Sequence, residues 1–259
     1  MKMSGNTVLI TGGTSGIGFE FAAQLIKLGN TVIITGRDLV RLDAAKKKLP
    51  TVHTLQSDAA DPKAIAGLFE TVVKQFPKLN VLINNAGFMR RINLHDQDID
   101  LEDLNREIET NLSGPIWMTK QFLEYLKTQE SAAIMNVSSG LAFVPLPISP
   151  VYCAAKAGLH SYTQSLRVQL KNTKVKVFEL APPLTETPLV DSFEPADLAG
   201  SKAMSVSKMV GIAIRGMERD NFEIRPGQSN ALKLMNRIAP KFIFNQLSKS
   251  VNNMLTESK

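Results

Sequence analysis

One glycine-rich turn constrains the fold of this chain more than any other feature. The apolar run Val8–Ile10 leads directly into Thr11-Gly12-Gly13-Thr14-Ser15-Gly16-Ile17-Gly18, and the helix-compatible stretch Phe19–Leu28 follows at once. Glycines permit a tight turn and close approach of a ligand, while a helix that begins there presents free N–H groups and the positive end of its dipole. The arrangement predicts a strand–turn–helix unit that binds the pyrophosphate of a dinucleotide.

Short β-branched runs alternate with longer amphipathic stretches along the rest of the chain. Strands are predicted at Thr7–Thr11, Thr31–Thr35, His53–Ser57, Val81–Asn84, Ala133–Ser138, Lys174–Leu180 and Phe222–Arg225. Helices are predicted at about 16–28, 38–49, 62–76, 102–126, 151–171 and 206–218. This alternation is typical of βαβ units, and the near-continuous apolarity of the strands indicates a sheet buried on both faces. The sequence therefore predicts a single α/β domain over residues 1–259, with a doubly wound, seven-stranded parallel sheet of Rossmann type.

Composition narrows the class of protein. The chain has 259 residues, 44% of them hydrophobic, which suffices for one sizeable core. No apolar run approaches the roughly 18 to 20 residues that cross a bilayer, and the start lacks the apolar segment of a signal peptide, so we expect a cytoplasmic protein. The lone cysteine, Cys153, excludes an internal disulfide. The net charge of +6 is too modest to indicate nucleic-acid binding, and no metal is expected because His53, His95 and His160 share no ligand spacing.

Tyr152 and Lys156 lie four residues apart on a predicted helix, so their side chains share one face. A free tyrosine has a pKa of about 10, which is too high for efficient proton exchange at neutral pH. A nearby ammonium favours the phenolate, and a shift to about 7 requires roughly 3 units, or about 4 kcal/mol, which Lys156 is expected to supply. A tyrosine four residues before a lysine is by itself a pattern of low specificity for a catalytic site. It gains weight from Ser139, thirteen residues upstream at the end of a buried strand, with Ser138 as an adjacent candidate.

Three features of the sequence belong together: the glycine turn, Asn84-Asn85-Ala86-Gly87 after the fourth strand, and the set formed by Ser139, Tyr152 and Lys156. Together they resemble the short-chain dehydrogenase/reductase family, and the resemblance runs from Thr7 to about Leu189. The resemblance implies an NAD(P)-dependent oxidoreductase that interconverts a small carbonyl compound and an alcohol. It makes Tyr152 the general acid/base and Ser139 a hydrogen-bond donor to the substrate oxygen. It also implies that Lys156 lowers the pKa of Tyr152 and contacts the nicotinamide ribose.

The same resemblance assigns further residues and an assembly. Asn111 matches the family's fourth catalytic member, which binds a water that links the lysine to solvent, although an ordinary mid-helix amide is the alternative. Asp58 matches an adenine-contacting aspartate, with a turn or helix cap as the alternative. A homodimer or homotetramer is implied through the helices 102–126 and 151–171. The implied cofactor-binding residues are Gly12, Thr14, Ser15, Gly16, Ile17, Gly18, Asp58, Asn85, Ala86, Gly87, Tyr152 and Lys156.

The end of the second strand bears on the choice of cofactor, because in a dinucleotide fold it meets the adenosine ribose. This chain has Thr35-Gly36-Arg37-Asp38 there. Arg37 suits a 2′-phosphate through charge-assisted hydrogen bonds, and Gly36 stands where NAD-preferring relatives usually carry an acid. NADP(H) is therefore favoured. NAD(H) remains the alternative because of Asp38, unless that residue only caps the helix that begins there.

The segment after the sixth strand departs from the family pattern. Where the family usually carries Pro-Gly and then a threonine, this chain has Pro182-Pro183-Leu184-Thr185-Glu186-Thr187. Pro183 has no N–H and a fixed φ, which excludes any contact that needs that donor. Cofactor contacts are expected from Pro182, Thr185 and Thr187. A substrate lid is predicted over 184–205, with acidic residues that face solvent: Glu186, Asp191, Glu194 and Asp197. Apolar residues expected around the substrate are Phe88, Met89, Ala142, Phe143, Leu146, Ile148, Leu189 and Phe193.

The tail, 228–259, predicts a basic amphipathic helix interrupted at Pro240. Packing against the body or a sister subunit is favoured over contact with an anionic membrane surface or a cover over the substrate entrance. Two functions are weighed. The first is the carbonyl/alcohol oxidoreductase, favoured by the intact Ser139, Tyr152 and Lys156. The second is a nucleotide-binding regulatory or membrane-associated protein with little turnover, kept open by Pro183 and the basic tail.

Overall fold

Seven parallel strands form one sheet in the computed structural model, which describes residues 1–190, 193, 197 and 202–257. The strands are β1 (Thr7–Ile10), β2 (Thr31–Gly36), β3 (His53–Gln56), β4 (Leu79–Asn84), β5 (Ala132–Val137), β6 (Val175–Leu180) and β7 (Glu223–Ile224). Their order is β3-β2-β1-β4-β5-β6-β7, and every neighbouring pair is parallel. The predicted doubly wound, seven-stranded parallel sheet in a single domain is confirmed.

Helices cover both faces of the sheet. They are α1 (Gly16–Lys27), α2 (Leu39–Lys48), α3 (Pro62–Gln75), α4 (Leu101–Ile108), α5 (Gly114–Lys127), α6 (Pro150–Gln169), α7 (Val206–Glu218), α8 (Gln228–Ile238), α9 (Pro240–Ser248) and α10 (Ser250–Glu257). One apolar core joins the sheet to α1, α2 and α7, and a second joins it to α3, α5 and α6. This burial on both faces explains the apolar runs Val8–Ile10 in β1 and Val32–Ile34 in β2. No helix in the described parts of the chain has the length and apolarity to cross a membrane.

Aspartates cap several helices, among them the helix for which Asp38 was the predicted cap. Asp38 accepts hydrogen bonds from the N–H groups of Val40 and Arg41 at the start of α2. Asp61 accepts one from the N–H of Lys63, and Pro62 follows it at the first position of α3. The carboxylate of Asp38 is therefore engaged as a helix cap.

The helix predicted over 102–126 is interrupted. Between α4 and α5 the residues Glu109–Ser113 form a π-helical turn. Pro115 has no N–H to offer the carbonyl four residues earlier, so the regular hydrogen-bond ladder fails at this point. The prediction of one continuous helix was wrong for this reason, and the interruption falls on Asn111.

The tail forms the three helices α8, α9 and α10: the predicted interruption at Pro240 is confirmed, whereas the second break, before Ser250, was not predicted. Pro240 occupies the first position of α9, where a proline is tolerated because that N–H has no intrahelical acceptor. The chain therefore turns at Pro240 and again before Ser250, and the tail folds back on the body.

A buried row of polar side chains links β4, β5 and α6 beneath the carboxyl ends of the strands. Asn84 Nδ2 donates to Asn136 Oδ1 at 2.8 Å, and Asn136 Nδ2 donates to Thr163 Oγ1 at 2.9 Å. Asn136 and Thr163 are fully buried. Such groups are costly to leave unpaired, so the row fixes the register of the elements that carry the site above it.

We expect Asn136→Ala to lower the free energy of unfolding by about 2–4 kcal/mol, because Asn84 and Thr163 both lose a buried partner. Urea denaturation followed by circular dichroism measures this. Gln169→Ala, at an exposed position on α6, serves as the control and should change stability by no more than about 0.5 kcal/mol. Equal effects of the two substitutions would contradict the role assigned to the buried row.

Candidate active site

A cavity of about 1280 Å³ opens where the chain crosses from one side of β1 to the other. The connections after β1 and β4 lead away in different directions, and ligands in such sheets bind in the crevice between them. The predicted site residues that line it are Gly12, Thr14, Ser15, Gly16, Ile17, Arg37, Asp58, Asn85, Ala86, Gly87, Asn111, Ser139, Tyr152, Lys156, Pro182, Thr185 and Thr187. The structure thus brings together every predicted site residue except Gly18.

The glycine turn is held in place by the segment after β4. Gly12 and Gly16 have φ of +65° and +53°, which glycine adopts without strain. Asn85 Nδ2 donates to the carbonyl oxygens of Thr11 and Gly12, both at 3.0 Å, and Thr11 Oγ1 accepts the N–H groups of Asn85 and Ala86. The segments after β1 and β4 are therefore joined by side-chain hydrogen bonds.

Gly18 lies behind this turn rather than on the cavity wall, which corrects its predicted place among the ligand contacts. A Cβ on Gly18 would lie 2.4 Å from the Gly12 oxygen and 2.5 Å from Asn85 Nδ2. The absence of a side chain lets α1 pack directly against the turn.

The start of α1 faces the cavity through Ser15, Gly16 and Ile17. Ser15 is the N-cap residue, and its side chain makes no capping hydrogen bond. The first N–H groups of the helix therefore have neither an intrahelical acceptor nor a cap, and the dipole adds a positive potential at the same point. These residues fit the pyrophosphate of a dinucleotide.

Two arginines lie at the end of the cavity beyond β2. Arg37 Nη1 lies 3.8 Å from Asp58 Oδ2, and Arg41 Nε lies 3.8 Å from Asp38 Oδ2. The Arg37 side chain is 60% exposed, so this ion pair is weak and leaves the guanidinium available to a ligand. Both arginines line the cavity. The sequence analysis missed Arg41, although its position four residues after Arg37 in the first turn of α2 was an available signal.

The two serines after β5 have different surroundings. Ser138 Oγ donates to Glu179 Oε1 at 2.5 Å, and the same buried carboxylate is bound by His160 Nδ1 at 2.8 Å. Ser139 Oγ accepts the N–H of Leu141 at 3.1 Å and shares a hydrogen bond with the hydroxyl of Tyr152. Ser139 is therefore the serine that lies beside Tyr152, whereas Ser138 belongs to a structural network.

Tyr152 is buried in the first turn of α6. Burial raises the pKa of its hydroxyl well above the ordinary value, and the hydrogen bond to Ser139 opposes this only in part. The carboxyl of Glu107 and the thiol of Cys153 add to the rise. The predicted lowering of the Tyr152 pKa by Lys156 was therefore wrong: desolvation raises this pKa, and Lys156, whose Nζ lies 5.7 Å from the ring centroid, does not offset the rise.

Lys156 is also buried, with 3% of its surface exposed. Its Nζ donates to the carbonyl oxygen of Val137 at 2.9 Å. Burial disfavours the charged form and lowers the pKa of Lys156 to about 7. The group therefore titrates near neutral pH, where the ammonium and the free amine are both populated.

Asn111 sits in the π-helical turn and is fully buried. Its Nδ2 donates to the carbonyl oxygens of Phe88 and Glu107 at 2.9 and 3.0 Å, while its Oδ1 has no hydrogen-bond partner among the described residues. A Cβ on Gly87 would lie 2.4 Å from Asn111 Oδ1 and 3.4 Å from Lys156 Nζ. Gly87 thus allows Asn111 to present a buried acceptor close to Lys156, a placement that differs from an ordinary mid-helix amide.

Glu107 is a buried carboxyl that the sequence analysis missed. It accepts the N–H of Arg90 at 2.8 Å, and its other oxygen lies 3.8 Å from Arg90 Nη2. Burial raises the pKa of Glu107. In the sequence it looks like the exposed acids of the same helix, so only the tertiary packing distinguishes it.

The segment after β6 is fixed by backbone contacts. Pro182 O accepts the N–H of Gly140 at 2.8 Å, which ties the segment to the turn after β5. Thr185 Oγ1 donates to Pro183 O at 2.7 Å, and Thr187 Oγ1 donates to Thr185 O at 3.4 Å. The hydroxyls of both threonines are thus engaged within the segment, and Pro183 supplies no donor.

Part of the predicted lid over 184–205 is described. Its two ends are joined, because Met204 N donates to Leu184 O and Glu186 N donates to Met204 O. Asp197 was predicted to face solvent, and this was wrong: it is buried, and its Oδ2 lies 3.7 Å from Arg91 Nε. Residues 191, 192, 194–196 and 198–201, with the acids Asp191 and Glu194, lie outside the described residues.

The apolar part of the cavity is built from two sources. Of the predicted apolar residues, Phe88, Met89, Leu146 and Leu189 line it, whereas Phe143, Ile148 and Phe193 are buried in clusters behind it and Ala142 does not border it. The tail supplies the remaining wall, with Ala231, Leu232, Met235, Ile243 and Leu247. The same helices leave Leu234, Ile238 and Phe242 exposed on their outer side.

Comparisons with known proteins agree with this geometry. The sequence profile of the short chain dehydrogenase family matches residues 6–197. The chain is 41% identical over 252 residues to the oxidoreductase DltE of Bacillus subtilis (strain 168), which covers 97% of this chain and 100% of that relative.

Two solved structures share the fold. One is a short chain dehydrogenase from Burkholderia cenocepacia J2315 in complex with NADP, with a TM-score of 0.82, 23% identity, and coverage of 95% of this chain and 99% of that one. The other is a short chain dehydrogenase/reductase from Burkholderia phymatum in complex with NAD, with a TM-score of 0.82, 21% identity, and coverage of 92% and 95%. The chain belongs to the short-chain dehydrogenase family and is an oxidoreductase of that family.

The buried Lys156 should make stability depend on pH in a defined direction. In the folded state its pKa is about 7, whereas in the unfolded chain it is about 10.4, so between these values the unfolded state binds more protons and stability rises with pH. The Tm of Lys156→Met minus the Tm of the parent protein should be largest at or below pH 7. This difference should become smaller as the pH rises towards 10. Thermal melts across this range measure it, and a difference independent of pH would contradict the buried charge.

Proposed function

We propose that the chain interconverts a carbonyl compound and an alcohol with a nicotinamide dinucleotide, with Tyr152 as the proton donor and acceptor. One observation carries the proposal: the hydroxyls of Tyr152 and Ser139 and the amine of Lys156 meet in the same cavity that Arg37 and the start of α1 border. A dinucleotide that binds its phosphates at the helix start can therefore reach the Tyr152 hydroxyl without any rearrangement of the sheet.

The residues present fit such a cofactor. The start of α1 would hold the pyrophosphate, Asp58 and the Asn85–Gly87 backbone would border the adenosine half, and Lys156 would meet the nicotinamide ribose. When bound, the dinucleotide supplies the two-electron oxidation or reduction. Pro182, Thr185 and Thr187 would contact the carboxamide through carbonyl oxygens and side chains, because Pro183 offers no N–H.

Tyr152 can protonate a substrate oxygen because its raised pKa keeps it neutral at physiological pH. Ser139, already hydrogen-bonded to it, can donate to the same oxygen and stabilise the negative charge that develops there. Once Tyr152 has given up its proton, the Lys156 ammonium beside the ring stabilises the phenolate. In the oxidation direction, Tyr152 would have to be deprotonated before it accepts a proton from the alcohol.

We further propose a preference for NADP(H), with NAD(H) as the alternative. Arg37 and Arg41 both border the cavity beyond β2, where a 2′-phosphate on the adenosine ribose would lie. The Asp38 carboxylate, which would repel that phosphate, is engaged in capping α2. Because backbone N–H groups at the start of α2 hold the Asp38 carboxylate, this capping role favours NADP(H).

The family resemblance also supports a homodimer or homotetramer, which we propose assembles through the α4–α5 region and α6. Val168 on α6 is 66% exposed, and Leu101 at the start of α4 is 81% exposed. Exposed aliphatic side chains on these helices are compatible with a subunit contact.

Tyr152→Phe should reduce carbonyl turnover by about a hundred- to ten-thousandfold, because the proton donor is lost while the ring and its packing remain. NADPH oxidation at 340 nm with a panel of aldehydes and ketones measures the rate, and thermal shift with NADPH confirms that cofactor binding is kept. Tyr125→Phe is the matched control, since Tyr125 donates to Pro77 O on the protein surface. If the parent protein binds NADPH and reduces none of the panel, the alternative of a nucleotide-binding protein with little turnover is supported instead.

Arg37→Ala should raise the Kd for NADPH at least about tenfold, since a charge-assisted contact contributes about 1.5–3 kcal/mol, and should leave the Kd for NADH unchanged. Titration calorimetry with both cofactors measures this. Lys47→Ala, exposed in the last turn of α2, is the control for a general loss of positive charge. Tighter binding of NADH than NADPH by the parent protein would overturn the preference.

A further inference from the structure

The tail α8–α10 lies beyond the part of the chain that the family profile matches, which ends at residue 197. The Bacillus subtilis relative nevertheless matches 97% of this chain. The tail forms one wall of the cavity beside Tyr152, so it would contribute to the choice of substrate.

The inner face of the tail is apolar. Leu232 and Met235 of α8, with Ile243 and Leu247 of α9, line the cavity opposite Met89, Leu141, Leu146 and Leu189. Leu247 and Val251 also pack in the cluster that contains Tyr152. The space next to the Tyr152 hydroxyl is thus bordered by aliphatic and thioether side chains, which favour a substrate with an apolar body.

The tail carries mainly positive charge. Between Glu223 and Glu257 the chain has no Asp or Glu and five basic residues, which are Arg225, Lys233, Arg237, Lys241 and Lys249. Arg225 and Lys233 both pair with Glu223. Of the other three, Lys249 alone borders the cavity.

Two amide side chains of the tail border the cavity in addition to Lys249. Gln228 at the start of α8 and Gln246 on α9 also border the cavity, and both are exposed. None of these three side chains has a hydrogen-bond or ion-pair partner within the described residues. Asp197 also borders the cavity, and its Oδ2 lies 3.7 Å from Arg91 Nε, which offsets its charge. The tail side of the cavity therefore offers unused donors and one positive charge to a ligand.

We propose that the substrate is a carbonyl compound with an apolar chain and an anionic group at its far end, which Lys249 binds with support from Gln228 and Gln246. This inference rests on the proposed function of the same site. The carbonyl oxygen lies against Tyr152 and Ser139, the chain follows the apolar wall of the tail, and the anion reaches Lys249. In the reaction, the aldehyde, NADPH and one proton from Tyr152 give the alcohol and NADP⁺. Two electrons move to the carbonyl carbon, and the C–O double bond becomes a single bond.

Suberic semialdehyde and its methyl ester test this directly, because they share length and carbonyl and differ in the terminal charge. The parent protein should show a kcat/KM for the acid about tenfold above that for the ester, a ratio in the range of one charge-assisted contact at a partly exposed site. Lys249→Ala should bring the ratio close to one, chiefly through KM, and leave the ester unaffected. Lys249→Arg should retain the preference.

Lys241→Ala is the matched control, since Lys241 is exposed near the start of α9, whereas Lys249 follows the end of that helix, and Lys241 does not border the cavity. It should leave the ratio unchanged, and an equal effect of Lys241→Ala and Lys249→Ala would overturn the proposal in favour of a general surface potential. Succinic semialdehyde, which has the charge without the apolar chain, should be a poorer substrate. If simple aldehydes are reduced but the acid is no better than its ester, the inference fails while the proposed function stands. If no carbonyl compound is reduced, the proposed function itself fails.

Discussion

The crossing of the chain at β1 is the constraint on which the rest of the structure depends. The chain winds outward from β1 to β3 and then returns to β4 on the other side, so no connecting segment fills the space above the two strand ends. Hydrogen bonds from Asn85 to Thr11 and Gly12 hold these ends at a fixed separation. The glycine turn, the start of α1 and the residues after β5 can then border one cavity.

Burial decides the acid–base character of this cavity. It raises the pKa of Tyr152 and lowers that of Lys156 to about 7, so both groups are displaced towards their neutral forms. A neutral tyrosine is ready to donate a proton, and a lysine that titrates near 7 can change its charge with little cost when the phenolate forms. Asn111 adds a buried acceptor next to this lysine because the π-helical turn places its amide there. The proposed proton donor, Tyr152, is therefore neutral and positioned before any substrate binds.

The sequence predicted the sheet, the glycine turn and the residues that meet around the cavity, because each depends on local pattern: apolar runs, glycines at a strand end, and Tyr152 four residues before Lys156. It did not predict features that depend on tertiary packing. The π-helical turn follows from Pro115 within an otherwise helical pattern, and the burial of Glu107 and Asp197 follows from Arg90 and Arg91 in a distant loop. The direction of the Tyr152 pKa could not be predicted either, because helical spacing places Lys156 near the tyrosine but gives no measure of desolvation.

The proposed reaction is the transfer of a hydride equivalent between a nicotinamide and a carbonyl carbon beside Tyr152. NADPH deuterated at the transferable position of the dihydronicotinamide, incubated with the protein and suberic semialdehyde, tests it through mass spectrometry and NMR of the alcohol formed. The account predicts one deuterium on the carbinol carbon, from one face of the nicotinamide only. Binding of NADPH at saturation with no deuterium in any alcohol product would contradict it.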